Sequence, residues 1–336
     1  MTDASSSAGL WLLAWRRLRA DRLAMGALAV LAGFLLVLAL SGLGVIAADW
    51  EQEVAVPYAP PGFVGPDPQA AAALAVSGPA RANPYDPLGA EIAALRAQLA
   101  AQGPARMQAR RLTLPFGADK WGHDVIKKTI KGAETSIVVG LAASLLAVAL
   151  GTLFGALAGF HGGVVDDLFN WFYSVFTSIP SILMILAVAA VLQQKGVTTI
   201  VLILGLTGWT GPFRLIRAEY MKHRVREYVL AAEAIGASSW RKMAGHILPN
   251  VSHVALVQLS ILAVGFIKAE VILSFLGFGV PVGVVSWGSM LAEAQNELIL
   301  GKWWQLAAAS AAMALLVTAF SLLTDALRDA LDPTLA

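Results

Sequence analysis

Six stretches of this 336-residue chain are apolar enough and long enough to be read as membrane spans, with polar segments between them. They fall at about 24–48, 135–160, 168–194, 196–213, 251–276 and 304–324. The first is uncharged throughout, and at about 1.5 Å per residue it exceeds the roughly 30 Å hydrocarbon core. The apolar part of a signal peptide is only about 7–15 residues long, so an uncleaved span is expected here rather than a removed leader. The pattern predicts an all-α polytopic membrane protein with six transmembrane helices.

Two features inside the spans have structural consequences. Pro180, in "FTSIPSIL", should kink the third span, with nearby Ser and Thr able to satisfy the freed carbonyls. Gly151, Gly155 and Gly159 recur every four residues in "GTLFGALAGF", a spacing that lets helix backbones approach closely. Packing within the chain is the expected use of that stripe, ahead of a dimer seam.

The polar segments divide the rest. Residues 1–23 hold "LWLLAWRRLRADRL", with two Trp and four Arg, the make-up of an interfacial segment. Residues 49–134 form a long excursion. Its first part, "VPYAPPGFVGPDPQ", is rich in Pro and Gly and should be irregular. Asp86-Pro87 then offers a start for a helix through "LGAEIAALRAQLAAQ", whose Ile92, Leu95 and Leu99 share a face and should pack on neighbouring protein. Lys120, Lys127, Lys128 and Lys131 follow in "DKWGHDVIKKTIKGA", expected to edge an interfacial helix ahead of span two. Residues 135–325 carry the other five spans, with a polar loop at 214–250, and 326–336 form a tail.

Charge placement gives the orientation. Arg16, Arg17, Arg19 and Arg22 precede span one, and Arg214, Arg217, Lys222, Arg224, Arg226, Arg241 and Lys242 lie between spans four and five. With six spans both groups share a face, and the excess of positive residues makes it the cytoplasmic one, with both termini on that side. The four lysines before span two fall on the opposite side, in an excursion too long for the rule to apply strongly.

Composition narrows the function classes. Hydrophobic residues are 57% of the chain and charged residues 14%, against about 25% charged in soluble domains. A net charge of +2 is too small to suggest nucleic acid. The absence of Cys excludes disulfides and thiolate chemistry, and the five His (123, 161, 223, 246, 253) lack ligand spacing, so no metal site is expected. No G-x-S-x-G or H-E-x-x-H occurs, so no catalytic residue is assigned. A secondary transporter, the leading rival class, would favour charged or broken midplane helices in paired repeats, which are sparse here.

The loop between spans four and five holds "YVLAAEAIGASSWRKMAGHILPN", residues 228–250. Residues 227–235 read as a short Ala-rich helix, with Gly236 a natural left-handed cap. Ser238 or Ser239 can N-cap a second helix from Trp240 to about Ile247, which Pro249 should end. Small side chains at Ala231, Ala232, Ala234 and Ala237 suit insertion into a cleft on another protein; a loop covering span ends fits equally well.

This stretch resembles the EAA loop of ABC-importer permeases, and more narrowly the permeases for dipeptides, oligopeptides and nickel. "PFGADKWGHDV", "GFHGGVVDD", "IPSILMILAVA", "EVILSFLGFGVPVGVVSWGSML" and "LTDALRDALDP" occur in the family's order. The chain looks like the second, C-type member of the permease pair, with one N-terminal span before a shared five-span core. Two departures stand out: Leu230 replaces the motif's leading Glu, with Glu233 as the next acid, and His123 replaces the usual Arg.

The resemblance implies a bacterial cytoplasmic (inner) membrane protein with a sister permease, two cytoplasmic ABC ATPases, an extracytoplasmic solute-binding protein and membrane lipid as partners. ATP and magnesium would bind the ATPases, and no cofactor this chain, which has no G-x-x-x-x-G-K-[ST]. Tyr228, Ala231, Ala232, Glu233, Gly236, Ala237, Ser238, Leu248 and Pro249 are then the expected ATPase-coupling residues. Lys268 and Glu270, near the outer end of span five, either snorkel to the interface or serve the pathway or the interface between permeases. Asp166 and Asp167 should hold the cytoplasmic ends of spans two and three.

Overall fold

The computed structural model describes residues 10–68, 88–101, 110–281 and 283–331. Helix α1 (Leu10–Ala20) leads into α2 (Arg22–Gly42), whose N-cap Asp21 accepts the Leu23 N–H at 2.8 Å. Although the apolar run continues to 48, α2 stops at Gly42, and positive φ at Gly44 (71°) and Ala47 (54°) turns the chain away. Helix α3 (Gly89–Ala101) matches the helix expected in the excursion. Its Ile92 and Leu95 are exposed, so the described residues do not cover these two positions of the expected stripe. Asp86, Pro87 and the Leu99 side chain lie outside the described residues.

The central element is α4 (Val125–His161), 37 residues long and about 55 Å from end to end. It replaces the expected separate interfacial helix and span with one continuous rod. Asp124 caps it, accepting the Ile126 N–H at 2.8 Å, and at Gly132 a Cβ would stand 3.2 Å from the Trp287 ring. The four lysines sit in or just before its first two turns, each beside an acid: Lys120 with Glu293, Lys127 with Asp49, Lys128 with Asp119 and Glu293, and Lys131 with Glu134.

Two spans are bent. Helices α5 (Gly163–Thr177) and α6 (Ser181–Leu192) meet at 84° around Pro180. The hydroxyls of Ser174, Thr177 and Ser178 take up carbonyls of Asn170, Tyr173 and Val175 at 2.8, 3.0 and 2.7 Å. Helices α7 (Val197–Thr207) and α8 (Thr210–His223) meet at 41° beside Gly208, where the Phe266 ring leaves no room for a side chain. Helix α8 continues past 213, so Arg214, Arg217 and Lys222 are helical rather than part of a loop.

Helix α9 (Glu227–Ala234) precedes a seven-residue π-helix, Arg241–Ile247, which runs straight into α10 (Leu248–Phe275). Helices α11 (Trp287–Ile299) and α12 (Trp304–Leu331) complete the chain, and α12 carries helix into the expected tail. Among the described residues α2, α4, the π-helix with α10, and α12 are each long and apolar enough to cross a membrane. Counting each bent pair as one span gives six.

Helix packing follows from small residues and interlocking side chains, since lipid is as apolar as the core and supplies little drive for burial. A Cβ on Gly151, Gly155 or Gly159 would stand 2.6, 2.8 or 2.5 Å from the carbonyls of Trp209, Phe213 and Arg217. The two helices therefore share a four-residue repeat, and the glycine stripe packs within the chain. One core joins Leu31, Ile137, Ile267, Trp287, Met290 and Leu316. A second joins Val139, Ala143, Ile200, Leu204, Phe266 and Leu273.

Outside the spans, residues 52–64 and 110–124 lie against each other through isolated bridges such as Ala55 with Arg111 and Pro61 with Leu114. The Trp304 indole N–H donates to the Ala118 carbonyl at 2.6 Å and ties this layer to the start of α12.

Candidate coupling site and buried polar clusters

The 227–250 segment is an elbow built on a helix cap. Gly236 has φ 82°, the Ala237 N–H donates to Ala232 O at 3.0 Å, and the Gly236 N–H donates to Glu233 O at 2.9 Å. That pair of bonds is the Schellman arrangement, which glycine adopts without a Cβ penalty. Ser238 is the N-cap of the next segment: its hydroxyl accepts the Arg241 N–H at 3.4 Å and its carbonyl the Lys242 N–H at 2.9 Å.

Pro249 does not stop a helix here. It stands in the first turn of α10, where the missing N–H costs least. In a tight α-turn its ring would press on the carbonyl of Gly245. The wider π-turn relieves that crowding, with the Leu248 N–H reaching back to Met243 O.

The elbow is tied to the spans at three points. The buried Tyr220 hydroxyl of α8 donates to Met243 O at 3.1 Å. Lys242 is buried with its ammonium 3.3 Å from Glu233 and 5.6 Å from the centre of the Phe160 ring of α4. Val229, Met243, Ile247 and Val251 form a small core with Tyr220 and Ala156. The Tyr228 hydroxyl lies 2.9 Å from His223 Nδ1, and burial pushes its pKa above the ordinary tyrosine value.

Of the residues singled out from the sequence, Ala232 is buried, Ala237 and Leu248 are half-buried, and Tyr228, Ala231, Glu233, Gly236, Ser238 and Pro249 face outward. Glu233, the next acid after the departed motif position, is paired with Lys242. The outward face is instead apolar, with Leu230 52%, Ile235 86% and Trp240 66% exposed. Sequence reasoning passed over Ile235 and Trp240 as contact residues. The available signal was two large apolar side chains flanking a turn in a polar loop.

Lys268 is exposed, whereas Glu270 is wholly buried on α10. The Glu270 carboxylate accepts from Ser136 Oγ at 2.8 Å and Ser274 Oγ at 2.7 Å, and Ser136 Oγ also accepts the Trp287 N–H at 3.1 Å. In this chain Glu270 thus joins α4, α10 and α11. Asp166 grips the Arg217 guanidinium through bonds of 2.5 and 2.6 Å, linking α5 to α8, that is span three to span four.

A second polar cluster stands at the start of α4, where Asp119, His123 and Lys128 meet Glu293 and Gln305 from the far end of the chain. The Lys128 ammonium donates to Asp119 at 2.7 Å, Glu293 at 2.6 Å and Gln305 at 3.3 Å. His123 Nδ1 lies 3.0 Å from Asp119, whose other oxygen accepts the N–H groups of Trp121 and His123 at 2.9 Å each. Burial pushes the Asp119 carboxyl up, but the Lys128 charge and these hydrogen bonds carry it below the usual carboxylate range.

The family model described as "Binding-protein-dependent transport system inner membrane component" matches residues 151–336. The chain belongs to that family. A second model, the N-terminal transmembrane domain of oligopeptide transport permease C, matches residues 9–61.

Relatives of this permease include the dipeptide transport system permease protein DppC of Bacillus subtilis, 36% identical over 66% of this chain and 68% of the relative. The oligopeptide transport system permease protein OppC of the same organism is 34% identical, over 66% and 72%. The peptidoglycan transport system permease protein YejE of Agrobacterium fabrum is 34% identical, over 65% and 56%. The chain is a multi-pass membrane permease of a binding-protein-dependent ABC importer, and an ATP-independent transporter is not favoured.

Proposed function

We propose that this permease is the C-type member of a heterodimeric pair that imports peptides, and that residues 227–240 dock it onto a cytoplasmic ABC ATPase. A sister permease forms the other half of the pathway. Two ATPases bind ATP and magnesium and supply the energy, an extracytoplasmic binding protein delivers the solute, and both termini face the cytoplasm of a bacterial inner membrane. The relatives' names and the match at 9–61 support the cargo class and the subunit type.

The observation that carries the docking reading is the outward apolar face of Leu230, Ile235 and Trp240 on an elbow tied to α8 by Tyr220. Such a face fits a groove of matching apolar character, and the rigid tie lets motion of the groove reach the spans. With Leu230 in place of an acid and Glu233 paired to Lys242, contact rests on shape and apolar area. Tyr228, Ala231, Ala232, Gly236, Ala237, Ser238, Leu248 and Pro249 shape or flank that face.

Because the chain has no cysteine, Ile235→Cys gives a single clean thiol. In the purified complex it should cross-link to a cysteine in the ATPase groove, and the yield should change on ATP binding. No cross-link from Ile235→Cys or Trp240→Cys sinks the docking reading. Uptake of labelled di- and oligopeptides, with a cell-wall muropeptide as the competing arm, tests the cargo.

A further inference from the structure

Glu297, on α11 one turn after Glu293, is 2% exposed, and neither of its carboxyl oxygens has a hydrogen-bond partner among the described residues. The Lys120 backbone N–H approaches it without reaching hydrogen-bond geometry. Buried polar groups are almost always paired, so this acid demands an explanation.

Its surroundings supply one. Lys128 of α4 spends all three ammonium donors on Asp119, Glu293 and Gln305, leaving none for Glu297. Asp119 and His123 face the cluster from the 116–124 loop, with Tyr58 from the 52–64 segment and Glu293 from α11. Lys120, at the rim, lies 3.7 Å from Glu293, and Lys302 is turned to Asp67 at 3.4 Å. Asp119 and Glu293 already balance Lys128 and Lys120. An ionised Glu297 would add an unpaired negative charge to a site with no donor for it, whereas a protonated Glu297 leaves the cluster neutral.

We propose that Glu297 is a proton-binding site, and that the bound proton holds the 116–124 loop closed against α11 and α12. The loop is positioned for this role: Asp119 is its contact with Lys128, and Ala118 its contact with Trp304. Burial, reinforced by the Asp119 and Glu293 charges against the pull of Lys128, raises the carboxyl pKa from 4.5 to about 7. An acid with a raised pKa in the closed form binds its proton more tightly there than in the open form. Closure is therefore favoured at low pH and weakens as pH rises through the window from 4.5 to about 7. One proton released on opening raises the opening constant by at most about tenfold per pH unit.

Hydrogen–deuterium exchange of the full chain in nanodiscs, corrected for intrinsic rates, tests this from about pH 5 to 8. Amides of 114–124 in the wild type should lose protection toward neutral pH and level off above it, while amides of α8 stay constant. Glu297→Gln should keep the loop as protected at high pH as the wild type is at low pH. His123→Asn, which removes the imidazole beside Asp119 and leaves Glu297 in place, is the control and should keep the wild-type profile. The proposal is overturned by a flat wild-type profile, by unchanged pH dependence in Glu297→Gln, or by its loss in His123→Asn. If Glu297→Gln does not fold, the wild-type and His123→Asn profiles decide. The readout needs no partner or substrate, so its failure is separate from failure of the importer reading.

Discussion

The Tyr220 hydroxyl donates to the Met243 carbonyl at 3.1 Å, joining the fourth span to the π-helix that leads into the fifth. Because the π-turn keeps Met243 O bonded to the Leu248 N–H as well, one carbonyl serves both helices. Tyr220→Phe keeps the buried ring and removes this bond, at a cost of about 1 kcal/mol of stability. The larger effect falls on coupling. ATP hydrolysed per solute imported should rise in the reconstituted complex, and a wild-type ratio would mean the tie is not part of the lever.

Gly236 is strained for any other residue because of its φ of 82°, yet a side chain there would meet open space. Gly236→Arg costs about 1–2 kcal/mol in the left-handed conformation and projects a charge beside the docking face. We expect normal membrane insertion, lost ATP-driven uptake and reduced ATPase co-purification; uptake at the wild-type rate would exclude a coupling role for the elbow.

Gly155 is different, since the backbone of α8 fills its Cβ space at 2.8 Å. Gly155→Leu should separate α4 from α8 and lower stability by about 1–3 kcal/mol or more, because backbone cannot give way as a side chain does. Thermal unfolding in detergent reads this directly. Gly26→Leu, at a position with nothing within 4 Å, is the control and should leave the midpoint unchanged.

For Glu270, substitutions separate charge from hydrogen bonding. Glu270→Gln can still pair with Ser136 and Ser274, whose hydroxyls rotate to accept as well as donate. It should retain uptake, with a small loss of stability. Glu270→Ala strands both hydroxyls and opens a cavity among α4, α10 and α11, so a drop of about 1–3 kcal/mol is expected. If Glu270→Gln abolishes uptake while the fold survives, the charge itself serves transport.

Much of this was legible along the chain because local chemistry carries it. The elbow turns at Gly236 and Ser238 caps the segment after it, since capping and positive φ depend on a few neighbouring residues. The Pro180 bend was visible for the same reason, though its angle of 84° was not. Other expectations failed where a local signal met a tertiary constraint. "DKWGHDVIKKTIKGA" reads as an interfacial helix because it is basic, but Asp49 and Glu293 from distant segments and Asp119 from within it neutralise its lysines, and α4 runs from Val125 straight on into the span. Pro249 reads as a stop, but the π-turn absorbs it.

The sequence by itself determined the number and apolar character of the spans, the caps, the bend and the family, because those reside in periodicity, composition and contiguous motif. Only the tertiary structure decided which charges meet. Lys128 with Glu293 and Gln305, Asp166 with Arg217, and Glu270 with Ser136 each join residues from different helices. It alone left Glu297 without a partner among the described residues, since whether a buried acid is satisfied depends on donors brought from elsewhere in the chain.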